Sequence, residues 1–162
     1  MKASLLLAII LSSLQTVGQS LSNEPTFKLS YLVDPDGQFT IDQVAGREFE
    51  PVSGARLNFG LSSAVYWIKM ELYESASPSE ALKIFNGTLS EANLYIKRGS
   101  EYELQRFNNE EIDATSSYTT QFPIFDLPVS AKDSVVYLQV RSHNVLDLPF
   151  YLNDKNRIMK SI

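Results

Sequence analysis

The residues that could carry out chemistry in this chain are few. There is one histidine, His143, and no cysteine. Cysteine nucleophiles, thiolate zinc sites and disulfides are therefore excluded. A hydrolytic triad needs a histidine held by a carboxylate and touching a nucleophile. The Arg141-Ser142-His143-Asn144 stretch has no such nucleophile turn, and no GxSxG occurs anywhere. Glu110, Glu111 and Asp113 could suggest a carboxylate pair for glycoside chemistry. They fall in a polar, acidic stretch, NNEEIDATSSYT, that reads as a solvated loop. Asp34-Pro35-Asp36-Gly37 resembles the start of a calcium loop but lacks the third acidic position and the distal Glu, so it reads as a turn. No glycine loop suits phosphates. The expectation is a non-enzyme with no catalytic residue, no metal and no cofactor.

Binding is better provided for. The stretch from Leu57 to Tyr73, LNFGLSSAVYWIKMELY, holds the only Trp and reads as the longest run of strand-like alternation. Successive side chains on a strand point to opposite faces. Tyr66, Ile68, Met70 and Leu72 then form a core face, while Val65, Trp67, Lys69, Glu71 and Tyr73 form the other. Two further strands divide in the same way. Ala92, Leu94 and Ile96 leave Asn93, Tyr95 and Lys97 opposite. Val136, Leu138 and Val140 leave Val135, Tyr137, Gln139 and Arg141 opposite. If the three strands are neighbours, Trp67, Tyr95 and Tyr137 form a platform fringed by Lys69, Asn93, Lys97, Gln139 and Arg141. Flat rings with a polar fringe match the CH faces and hydroxyl rim of a sugar, and equally a polar metabolite or a partner loop. The same pattern also suits packing, because aromatics stabilise cross-strand pairs and loops can bury such a face.

The elements that must position these residues are mostly strands. Met1-Lys2, an apolar run over Leu5 to Leu11 and a small polar stretch to about Ser20 have the layout of a secretory signal peptide. Residues 21–26 then form a linker, 27–153 one domain and 154–162 a tail. Loss of Lys2 with the signal would take the net charge from -5 to about -6. That balance argues against nucleic acid or anionic lipid as a partner. Thr40 to Ala45 suits one or two helical turns with Thr40 as N-cap. Short strands recur at roughly ten-residue intervals: Phe27 to Val33, the central stretch, Ala81 to Phe85, Ala92 to Lys97, Tyr102 to Phe107, Phe122 to Leu127, Ser134 to Arg141 and Leu146 to Leu152. About eight strands with almost no helix predict an all-β sandwich, with a jelly roll as the favoured form and an up-and-down barrel as the competitor.

Several of these pieces occur together in a known order. Asn58-Phe59 and Tyr66-Trp67-Ile68-Lys69 resemble a signature of the second type of extracellular domain in bacterial seven-transmembrane receptors with diverse intracellular signalling modules. YLVDPDGQFTIDQVA and FEPV stand before and within reach of that signature, ANLYIK in the middle, and YLQVRSHNVLDLPFYL at the end. The resemblance covers about Thr26 to Leu152. It implies a periplasmic jelly roll similar to carbohydrate-binding modules, sensing a small polar ligand such as a carbohydrate, and signalling through membrane helices that would follow Ile162. The chain is thus expected to be a receptor fragment from the bacterial inner membrane. Trp67, Lys69 and Arg141 fall on motif positions, with Lys69 where an Arg is common, which weakens any bidentate grip on a carboxylate. A protein-interaction or homodimerisation module using the same face is the alternative function.

Overall fold

The computed structural model describes residues 27–73, 80–108, 121–127 and 134–160. The expected signal peptide and the acidic stretch with Glu110, Glu111 and Asp113 lie outside the described residues. Ten strands and two short helices follow in order: β1 (Phe27–Asp34), α1 (Ile41–Val44), β2 (Glu50–Val52), β3 (Arg56–Leu61), β4 (Val65–Leu72), β5 (Glu80–Ile84), β6 (Glu91–Arg98), β7 (Glu101–Asn108), β8 (Ile124–Asp126), β9 (Ser134–Arg141), β10 (Val145–Asp154) and α2 (Lys155–Met159). They build two antiparallel sheets, one of six strands ordered β2-β1-β4-β9-β6-β7 and one of four ordered β3-β10-β5-β8. The expected all-β sandwich is the fold.

The core lies between the sheets because each contributes its apolar alternation to the same space. Tyr66, Ile68, Met70 and Leu72 of β4 meet Ala92, Leu94 and Ile96 of β6 and Val136, Leu138 and Val140 of β9 in one cluster. From the opposite sheet come Leu57, Leu82, Ile84, Phe125, Leu146, Leu148 and Phe150. Gln105 ties the sheets at one edge. Its amide nitrogen donates to the Asp126 carbonyl at 2.8 Å, and its amide oxygen accepts from the Asp126 N–H at 3.0 Å.

Two expectations need correction. Leu57 to Tyr73 is not a single strand. Its first part is β3, in the four-stranded sheet, and its second is β4, in the six-stranded sheet. The break comes at Ser62, whose hydroxyl oxygen accepts from the Ala64 N–H (3.2 Å) and the Tyr66 hydroxyl (2.9 Å), so a short polar side chain supplies the turn's hydrogen bonds. Just before it Gly60 sits at φ +64°, next to a bulge that pairs Asn58 with Asp147 but Gly60 with Leu146. Among the described residues there are ten strands rather than about eight, because this run supplies two and Glu50–Val52 adds another beside β1.

On the far side of the same bulge, Arg56 pairs with Asp147. Its Nε donates to Asp147 Oδ1 at 2.8 Å and its Nη2 donates to Oδ2. This guanidinium holds the Asp147 carboxyl below its ordinary value. Such a pair stabilises the fold above the usual carboxylate range and loses its contribution as pH falls through the lowered folded value. Asp147→Asn should therefore lose less stability than the parent between about pH 5 and pH 3. Urea titrations at the two pH values read the difference, which is small because the pair is solvated.

Candidate ligand-binding site

The face with the expected aromatics is the outer side of the six-stranded sheet, and its three strands are adjacent in the order β4-β9-β6. Register lines their residues up in rows. Trp67 stands beside Gln139, which stands beside Asn93; Lys69, Tyr137 and Tyr95 form the next row. Arg141 is opposite Glu91, and Lys97 lies two residues beyond Tyr95 on β6. All eight predicted site residues thus share one face of three neighbouring strands.

That face is not an open platform. The connection between β1 and β2 folds back across its centre. It is started by Asp34, the last residue of β1, whose buried carboxylate accepts hydrogen bonds from the Gln38 N–H (3.0 Å) and the Phe39 N–H (2.9 Å). Pro35 and Gly37, the latter at φ +65°, complete the turn expected from DPDG. Gly37 also lies close to the sheet, since a Cβ there would come within 2.7 Å of the Arg141 guanidinium. Next comes α1, begun by Thr40 as expected, whose N–H donates to the Gln43 side chain at 2.9 Å. Phe39, Ile41, Val44 and Phe49 then pack on Val65, Trp67 and Tyr137, forming a second apolar cluster separate from the inter-sheet core.

Trp67 lies at the centre of this cluster and is 0% exposed. Its indole N–H donates to Asp34 Oδ2 at 3.4 Å, so the carboxylate that shapes the turn also satisfies the buried ring. Tyr95 packs against it with ring centroids 5.4 Å apart. Of the readings open for Trp67, the structure gives packing beneath a loop. The other predicted residues divide among separate surroundings. Asn93 is buried, its amide donating to Glu91 (2.7 Å) and Gln139 (3.1 Å). Gln139 and Arg141 border a small hollow of about 210 Å³ beside Gly37. Lys69 borders another, of about 370 Å³, and pairs with Glu71 at 2.7 Å, which holds that carboxyl below its ordinary value.

Lys97 and Tyr137 meet in a cleft of about 510 Å³. It opens between Ala45 at the end of α1, the β6–β7 hairpin and the start of β9, and is walled by Lys97, Arg98, Tyr102, Val135 and Tyr137. The Tyr102 and Tyr137 rings meet edge to face at 6.2 Å. Burial, with smaller contributions from Tyr137 and the Asp42 carboxylate, pushes the Tyr102 hydroxyl above its ordinary value. Like any tyrosine hydroxyl, it is a donor at neutral pH. Arg98 is paired with Glu103 at 2.9 Å, whereas Lys97 has no ion pair among the described residues. The cleft thus offers the half-buried Tyr102 ring beside the largely buried Tyr137, phenolic hydroxyls and one available ammonium.

Tyr102, like Arg98, is a wall residue that the sequence pattern leaves out of the site. Its signal lies in the hairpin. The Gly99-Ser100 turn pairs Arg98 with Glu101, so Tyr102 falls opposite Lys97 on the outer face.

A family model described as 7TMR-DISM extracellular 2 matches residues 26–154. The chain belongs to that family. The match begins one residue before β1 and ends on the last residue of β10, so it takes in the whole sandwich and the loop over Trp67. A comparison with curated proteins gives no match. As an extracellular receptor domain of the 7TMR-DISM type, the sandwich stands on the outer side of a membrane as a sensory module. No helix among the described residues is long and apolar enough to cross that membrane.

Proposed function

We propose that this domain is the periplasmic ligand-sensing part of a bacterial inner-membrane signalling receptor. Its ligand is a small polar molecule of the carbohydrate type, seated in the cleft between Lys97, Tyr102 and Tyr137. The observation that carries this reading is the composition of the cleft wall, two tyrosines beside a lysine that has no ion pair among the described residues. A sugar ring presents CH groups to an aromatic face and hydroxyls to its rim, which suits those residues. Trp67, Tyr95 and Asn93 hold the sheet face and the covering loop in place behind the cleft. Lys69, Gln139 and Arg141 border its neighbouring hollows.

Isothermal calorimetry against sugars, amino acids and organic acids tests the assignment. A saccharide should bind, and Tyr102→Ala should weaken it about tenfold, equivalent to about 1.4 kcal/mol. The melting temperature of the unliganded variant should stay near that of the parent, because Tyr102 is only partly buried. No heat with any compound class, or full affinity in Tyr102→Ala, contradicts the proposal.

A further inference from the structure

The charges around the cleft narrow the class of ligand. The whole chain is acidic, with 19 Asp and Glu against 14 Lys and Arg. The cleft wall runs against that balance, since its charged residues are Lys97 and Arg98, and the Asp42 carboxylate that acts on Tyr102 belongs to α1 and is not part of the wall. Arg98 is already neutralised by Glu103 at 2.9 Å. Lys97 has no ion pair among the described residues, and its strand neighbour across the hairpin is Tyr102, whose hydroxyl is a donor. Ammonium and phenol together form a local set of donors with one net positive charge.

We infer that the ligand is an anionic saccharide, a sugar carrying a single carboxylate of the hexuronate class. Its carboxylate meets Lys97 and its ring lies along Tyr102 and Tyr137. This rests on the cleft assigned above and adds charge selection to it. A neutral sugar would leave the Lys97 ammonium without a counter-charge, whereas a carboxylate supplies one at the rim of the site. Lysine suits this as a point charge without the fixed fork of arginine.

The test is calorimetry of the full chain with galacturonate and glucuronate beside galactose and glucose, at low and raised salt. The uronates should bind about fivefold more tightly than the neutral sugars, the gain available from one partly exposed ion pair. Raised salt should reduce that gain. Lys97→Met keeps the aliphatic stem and removes the charge, so in that variant uronate and neutral sugar should bind equally well, the preference being lost. Equal affinities in the parent, or a uronate preference that survives in Lys97→Met, overturns the charge selection while the saccharide site stands. Binding of neither sugar type overturns both.

Discussion

Replacing Trp67 with alanine should lower the unfolding free energy by about 3–5 kcal/mol, the usual cost of deleting a large buried aromatic. The reason is where the ring sits. It is fully enclosed between the outer face of β4 and the β1–β2 connection, with Val65, Tyr137, Val44 and Phe39 in its cluster and Tyr95 packed on it. Deletion would leave a cavity under a loop whose Phe39, Ile41, Val44 and Phe49 all pack into that cluster. The connection bearing Phe39, Ile41 and Val44 would then lose its anchor, while the inter-sheet core would keep its own contacts. Chemical denaturation measures the loss. Trp67→Phe separates the causes, since it retains most of the ring and should cost less than half as much. If Trp67→Ala is nearly neutral, the ring is not the anchor of the covering loop.

Asp34→Ala should cost about 2–3 kcal/mol, from the same assembly seen from its polar side. One buried carboxylate accepts from the Gln38 and Phe39 N–H groups and from the Trp67 indole. Removing it leaves three donors without that acceptor, one of them on a fully buried ring. Buried donors that lose a partner carry the desolvation cost that the hydrogen bond had offset. The turn should loosen, and the Trp67 emission should shift to the red as water reaches the indole. Asp34→Asn, which keeps one acceptor oxygen, should recover part of the stability. An unchanged emission spectrum in Asp34→Ala would contradict the link between the turn and the ring.

Both predictions bear on how far the sequence could be read. The alternation of β4, β6 and β9 gave the inner faces correctly because one sheet surface is the inter-sheet core, and β9 runs from Ser134 to Arg141 as its pattern indicates. The DPDG turn and the Thr40 cap were equally legible, since Asp, Pro, Gly and Thr act there through local backbone chemistry. The split of Leu57 to Tyr73 was not. Both halves alternate, and the sheet to which each belongs depends on distant partners, β10 for β3 and β1 and β9 for β4.

The site was legible as a shared face, and its cover was the harder part. Lys69 and Glu71 make β4's outer face look solvated, yet Val65 and Trp67 on that same face are buried by the upstream segment bearing Phe39, Ile41, Val44 and Phe49. Tyr102 escaped notice for a related reason. In β7, Leu104 and Phe107 lie on opposite faces, so hydropathy alone gives that strand no clear side. Its orientation follows only from the hairpin register that sets Lys97 against Tyr102.

The most direct test of the central claim, that the ligand sits in the cleft beside the covering loop, is backbone amide NMR during titration with galacturonate. Chemical-shift changes should cluster at residues 96–102 and 134–137 and at Ala45, with saturation at a single affinity. Changes confined to β3, β10, β5 and β8, or to the hollow around Gly37 and Arg141, would place the ligand elsewhere and contradict the account.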